Sequence, residues 1–167
     1  MMRTGSIAQK LLFGVMLALL VSACGFQLRG HYALPEGMDK VMVQGQSDGL
    51  LKRYLVQSLS RSGVLVSKRP DDATAVISIH QESRDRRVLS VGDNARVREY
   101  ESLYKLVYSV YLKSGKLLID RDTILLSRDY SFNESDILGK EREETTLQHD
   151  MQKQAAETIL RRLAYLK

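Results

Sequence analysis

Apolar and polar residues along this chain follow two rhythms, one of about two residues and one of about 3.6. Lys40-Val41-Met42-Val43-Gln44 alternates and predicts a first strand. Leu50, Leu51, Tyr54, Leu55, Ser58 and Leu59 then recur at helical spacing, with Ser47 or Asp48 offered as the N-cap and Gly63 as the closing glycine. Val64-Leu65-Val66 reads as a short extended segment, and Pro70-Asp71-Asp72 as a turn. From Thr74 to Glu82 a second strand places Ala75, Ile77 and Ile79 on one face and Val76, Ser78 and His80 on the other. The polar stretch Ser83 to Arg87 continues it as an edge, through Val88-Leu89-Ser90-Val91 to a turn at Gly92-Asp93-Asn94.

Beyond Ala95 the alternation runs unusually far. Tyr100, Ser102, Tyr104, Leu106, Tyr108, Val110 and Leu112 share one face, while Leu103, Lys105, Val107, Ser109 and Tyr111 share the other. Ser114-Gly115 turns the chain, and Lys116 to Phe132 returns as another long strand, so a hairpin projecting beyond its own domain is expected. Glu141 to Leu166 closes the chain as a helix with an apolar stripe of Leu147, Met151, Ala155, Ile159, Leu163 and Leu166. Glu141, Glu143 and Glu144 near its start and Arg161, Arg162 and Lys167 near its end suit the helix dipole. These elements predict an α+β fold: two helices packed on one face of a mixed, mostly antiparallel four-stranded sheet.

The stretch ahead of the domain has a different character. Arg3 and Lys10 precede an uncharged apolar run from Leu11 to Val21, the pattern of an export signal and too short for a stable membrane span. It ends in Leu20-Val21-Ser22-Ala23-Cys24-Gly25, which resembles the lipobox of bacterial lipoproteins, and Cys24 is the single cysteine of the chain. That resemblance implies cleavage after Ala23 and acylation of Cys24, with a diacylglycerol on its thiol and an acyl chain on its amino group. Two or more acyl chains anchor a protein stably where one binds reversibly. By resemblance to lipoprotein sorting, Gly25 rather than Asp after the cysteine implies the outer membrane. The chain thus divides into a signal (1–23), an anchored amino-terminal segment (24–39) and one domain (40–167).

Composition narrows the partners. The formal charge is +5, and loss of the signal removes two positive charges and no acid. A moderate positive excess suits an anionic surface such as lipid phosphates, and no nucleic-acid motif accompanies it. With Cys24 acylated no thiol remains, so the fold stands in an oxidising compartment without a disulfide.

Catalytic patterns are missing. His31, His80 and His149 form no metal-ligand spacing, no Gly-x-Ser-x-Gly elbow supports a triad, and neither a Walker loop nor a dinucleotide fingerprint occurs. Asp120 and Asp122 flank Arg121 as solvated strand charges. The chain reads as a non-enzyme without metal, whose chemistry is binding.

Cys24-Gly25-Phe26, then Leu28-Arg29-Gly30, resembles the mature amino terminus of the LptE family of lipopolysaccharide-assembly lipoproteins, and the element order agrees with that family's fold. The resemblance implies a non-catalytic subunit of lipopolysaccharide export that plugs the LptD β-barrel. It also implies a lipopolysaccharide-binding cation near the hairpin turn and a lysine ahead of the closing helix. Lys140 matches the lysine by position. The turn itself carries Asp93-Asn94, so the hairpin cation falls to Arg96 or Arg98. For the barrel interface, Leu103, Val107 and Tyr111 lie on the strand face opposite the one that packs the core. Two other classes compete: a periplasmic lipid-carrier lipoprotein, which needs a cup-shaped sheet, and a lipoprotein hydrolase, which the missing motifs disfavour.

Overall fold

The structure, a computed structural model, describes residues 32–45, 49–132 and 137–166. The signal, Cys24, the motif that follows it, Ser47 and Asp48 lie outside these residues.

Strand β1 (Lys40–Gln44) leads into helix α1 (Leu50–Arg61), strand β2 (Leu65–Ser67) and a single 3-10 turn (Pro70–Asp72). Three long strands follow, β3 (Ala75–Val91), β4 (Val97–Leu112) and β5 (Leu117–Ser131), before helix α2 (Ile137–Ala164). The sheet has five strands in the order β2-β1-β3-β4-β5, with β1 parallel to both its neighbours and the β3–β4 and β4–β5 pairs antiparallel. The α+β class stands; the strand number is corrected from four to five. The extra strand is the segment at 64–66, shifted by one residue, which forms because Leu65, Val66 and Ser67 find Lys40, Val41 and Met42 across the sheet. Three residues carry too little periodicity to announce that pairing.

Helix α1 buries Leu51, Leu55 and Leu59 completely. Its N-cap position is Gly49, without a side-chain cap. At the other end Gly63 takes φ of +79°, which lets the amide of Val64 donate to the Leu59 carbonyl at 3.1 Å and that of Gly63 donate to Ser60 at 3.1 Å. This is a Schellman closure, and it needs a residue at ease in the left-handed region.

Helix α2 begins at Ile137, four residues before the sequence pattern suggested, so the three glutamates stand past its first turn, which holds no acid. Arg161 and Arg162 do occupy its last turn, where cations meet the dipole favourably. Met151, Ala155, Ile159 and Leu163 are fully buried as expected, joined by Ala156 and Leu160. Leu166 is instead exposed, because the helix has ended before it.

Both helices lie on one side of the sheet and against each other. The core between the layers is filled by side chains from both helices and from β1, β3, β4 and β5, among them Val41, Val43, Ile77, Leu106, Val110 and Ile159, with Val66 of β2 packed against it. The other side of the sheet is covered by no element among the described residues. β1 ends at Gln44, opposite Ser78, so β3 runs on past Ser78 paired only to β4. From there outward the sheet is a three-stranded ribbon, with α2 lying back along one face as far as Ser131, where Lys140 reaches that hydroxyl. The projection expected of a hairpin is thus reduced to its tip.

Candidate functional site

The ribbon tip is built by a tight turn. The amide of Gly92 donates to the Arg96 carbonyl at 2.8 Å and that of Ala95 to the Gly92 carbonyl at 2.9 Å, with Ala95 at φ of +58°. Arg98 folds back over this turn so closely that a Cβ on Gly92 would lie 2.5 Å from its Nε. The Arg98 carbonyl accepts from the amide of Phe132 at 2.7 Å, beside Ser131, and the Lys140 ammonium donates to the Ser131 hydroxyl at 3.3 Å. Arg96, Arg98 and Lys140 are therefore brought to the same end of the molecule. Val88, Leu89, Val91 and Leu138 are exposed there, so cations adjoin apolar surface.

Two corrections apply to this set. Lys140 sits in the first turn of α2, not in a loop ahead of it, and its ammonium pairs with Glu143 at 2.7 Å. Arg84, Arg86 and Arg87, which sequence order would add to the tip, are each engaged: Arg84 with Glu82 at 3.3 Å, Arg86 with Glu144 at 3.0 Å, and Arg87 with Glu101.

The second surface is the uncovered sheet face. Leu103, Val107 and Tyr111 line up along β4 on that side, all half-buried, with exposed Leu125 and Leu117 on the adjoining β5. The opposite parity, Tyr104, Leu106, Tyr108 and Val110, is at most 1 % exposed under the helices. β4 thus divides into a core face and an open face as its alternation predicted.

Polar clusters that the sequence did not announce dock α2 to the ribbon. Glu82 accepts from Tyr104 at 3.1 Å and from the Gln152 amide at 2.7 Å. Gln148 donates to Ser102, and Glu144 accepts from Tyr130 at 2.9 Å while Arg86 lies 4.5 Å over the Tyr100 ring. Asp122 accepts from Tyr108 at 3.2 Å and pairs with Arg162, so this carboxylate is a sheet-to-helix tie and not a merely solvated charge. The only warning in the sequence was glutamine at 148 and 152, in line with an apolar stripe. His80 bonds Ser109 at 2.8 Å, and no metal-holding cluster occurs among the described residues.

Burial is the main force that pushes the phenols of Tyr104, Tyr108 and Tyr130 above the ordinary tyrosine range. Below pH of about 10 these phenols are protonated in folded and unfolded chains alike, and their contribution to stability is fully present. Above it the unfolded chain loses protons that the folded chain keeps, so stability falls as pH rises toward the folded values. Absorbance titration should show Tyr104, Tyr108 and Tyr130 ionising late, together with alkaline unfolding. Ordinary titration of these three phenols, with the fold intact, would refute it.

No helix among the described residues is long and apolar enough to cross a membrane. The chain is 31 % identical over 151 residues to the LPS-assembly lipoprotein LptE of Yersinia enterocolitica, covering 88 % of this chain and 72 % of that one. Its fold is similar to the solution structure of lipoprotein B from Nitrosomonas europaea, with a TM-score of 0.68 and 30 % identity, over 82 % of this chain and 88 % of that one. It is also similar to the crystal structure of the rare lipoprotein B from Shewanella oneidensis, with a TM-score of 0.66 and 26 % identity, over 75 % and 94 %. The LptE lipopolysaccharide-assembly family profile matches residues 38–163, nearly all of the described fold, and the chain belongs to that family.

Proposed function

We propose that this chain is an acylated lipoprotein of the outer membrane that acts by binding, occupying the LptD β-barrel with its open sheet face and meeting lipopolysaccharide with its ribbon tip. Its family role in lipopolysaccharide assembly frames the reading. The observation that carries it is the row of half-buried Leu103, Val107 and Tyr111 on a sheet face that no element among the described residues covers. Such a surface suits a large partner, since apolar and aromatic groups make up the dry centre of interfaces. Arg96, Arg98 and Lys140 beside exposed Val91 and Leu138 match a ligand that carries phosphates next to acyl chains. Acylation of Cys24 would hold the domain at the bilayer. The lipid-carrier alternative is disfavoured because the space between helices and sheet is filled by side chains.

The test has two arms. Leu103→Asp with Tyr111→Asp should reduce co-purification of the barrel from detergent-solubilised outer membrane at least tenfold, roughly the effect of burying charge in an interface core, with the fold unchanged by circular dichroism. Undiminished recovery would remove this face from the interface. Neutralising Arg96, Arg98 and Lys140 together should weaken lipopolysaccharide binding and flatten its salt dependence, because exposed charges are screened. Equal affinities at every salt concentration would exclude the tip.

A further inference from the structure

Among the described residues, the outer edge of β5 is the longest stretch of strand backbone without a neighbouring strand. From Asp122 to Ser131 it pairs with β4 without a register shift, so its backbone alternates regularly over that span. The Phe132 amide points to β4, donating to Arg98. In an antiparallel ladder successive residues turn their backbone groups to opposite sides. Thr123, Leu125, Ser127 and Asp129 therefore direct theirs outward.

Two of these outward groups are held by neighbouring side chains. Asp122 Oδ1 accepts from the Thr123 amide at 2.8 Å, and Arg128 Nη1 donates to the Ser127 carbonyl at 2.8 Å. The other atoms of the same side chains face inward: Asp122 Oδ2 accepts from Tyr108 at 3.2 Å, and Arg128 Nη2 donates to Gln154 at 2.6 Å. The strand is also self-complementary in charge about Leu125, which is 70 % exposed. Asp122 and Arg128 stand equally far from it on either side, and so do Arg121 and Asp129.

We infer that this edge pairs with the same edge of a second copy of this chain, antiparallel about a two-fold axis through Leu125. In that register Leu125 exchanges two backbone hydrogen bonds with its counterpart, and Thr123 faces Ser127 of the other copy. The amide and carbonyl now held by side chains become each other's partners. Asp122 Oδ1 and Arg128 Nη1, released from those caps, then face one another across the axis, while Oδ2 and Nη2 keep their inward bonds. Arg121, at φ of +29° in the bulge where the regular pairing of β5 ends, and Asp129 lie just outside this ladder and form a further pair of opposite charges. Charged side chains on a sheet edge commonly block pairing; here the blocking charges are of opposite sign at mirror positions, so two copies satisfy them mutually. The contact is one strand wide, so the dimer is expected to be weak and reversible. The inference does not depend on the barrel reading.

Sedimentation equilibrium of the full chain in detergent micelles, from micromolar to hundreds of micromolar, tests it. The wild type should be a reversible dimer. Asp129→Arg places arginine against Arg121 of the other copy and should weaken the dimer about tenfold, two like-charge pairs replacing two opposite ones. Adding Arg121→Asp should restore it. Leu125→Pro removes only an outward amide, so the monomer keeps its ladder to β4 and the dimer is lost. A wild type that is monomeric throughout overturns the inference, and so does a dimer indifferent to Asp129→Arg and Leu125→Pro. Weakening by Asp129→Arg without restoration by Arg121→Asp overturns the register.

Discussion

Replacing Glu82 with alanine is expected to remove about 4 kcal/mol of folding stability, because two buried donors would lose their acceptor. The carboxylate receives the Tyr104 hydroxyl at 3.1 Å and the Gln152 amide at 2.7 Å, and both donor residues are at most 1 % exposed. Each stranded donor costs about 1–3 kcal/mol, whereas the net gain from making a bond is smaller. The Gln152 carbonyl already lacks a partner, so the amide cannot turn over to recover the loss without exposing the same problem at its other end. Urea denaturation should show a lowered midpoint at unchanged slope. Removing the donors as well, with Tyr104→Phe and Gln152→Leu beside Glu82→Leu, should return most of the stability, since an apolar set of similar volume strands nothing. A loss below about 1 kcal/mol in the single variant would show that water replaces the carboxylate.

Ile159→Ala should cost about 3 kcal/mol, and Leu147→Ala on the same helix only about 1 kcal/mol or less. Ile159 is wholly buried in the core cluster beside Met151, Ala155 and Leu163. Leu147 is half-buried, in the half of α2 that meets the ribbon largely through Glu144, Gln148 and Gln152. The cost of a truncated side chain depends on the cavity it leaves, and at Leu147 solvent can fill part of it. Denaturant midpoints for the two variants decide the matter. Similar losses would mean that the polar half of α2 is packed as tightly as the apolar half.

The sequence made the layers legible because burial imposes its period wherever one face is wet. β4 shows this best: from Ser102 to Val110 its even positions are buried, and Leu103, Val107 and Tyr111 on the other face fall where the alternation put them. Pairings that exist only in three dimensions left no such trace. β2 is a strand by virtue of β1, and Glu82 is an anchor only because Tyr104 and Gln152 arrive from elsewhere. The start of α2 was missed because Glu141 looks like a first-turn acid, while the helix begins at Ile137 with no acid in its first turn. At the tip, the linear order of arginines could not tell Arg86, bound to Glu144, from Arg98, folded over Gly92.

The strand order also sets a sequence of assembly. β4 is bonded on both edges to the strands that come immediately before and after it, through the turns around Gly92 and Gly115. Contacts of this kind close short loops and lose little chain entropy in forming. β1 must instead find β3 across a separation that runs from Val41 to Ala75, with α1 and β2 between. The meander β3–β4–β5 is therefore the natural nucleus, and the β1–α1–β2 unit condenses onto it later. The chain runs in the opposite order, so β1, first in sequence, gains its inner place between β2 and β3 only once the strands that follow it have formed.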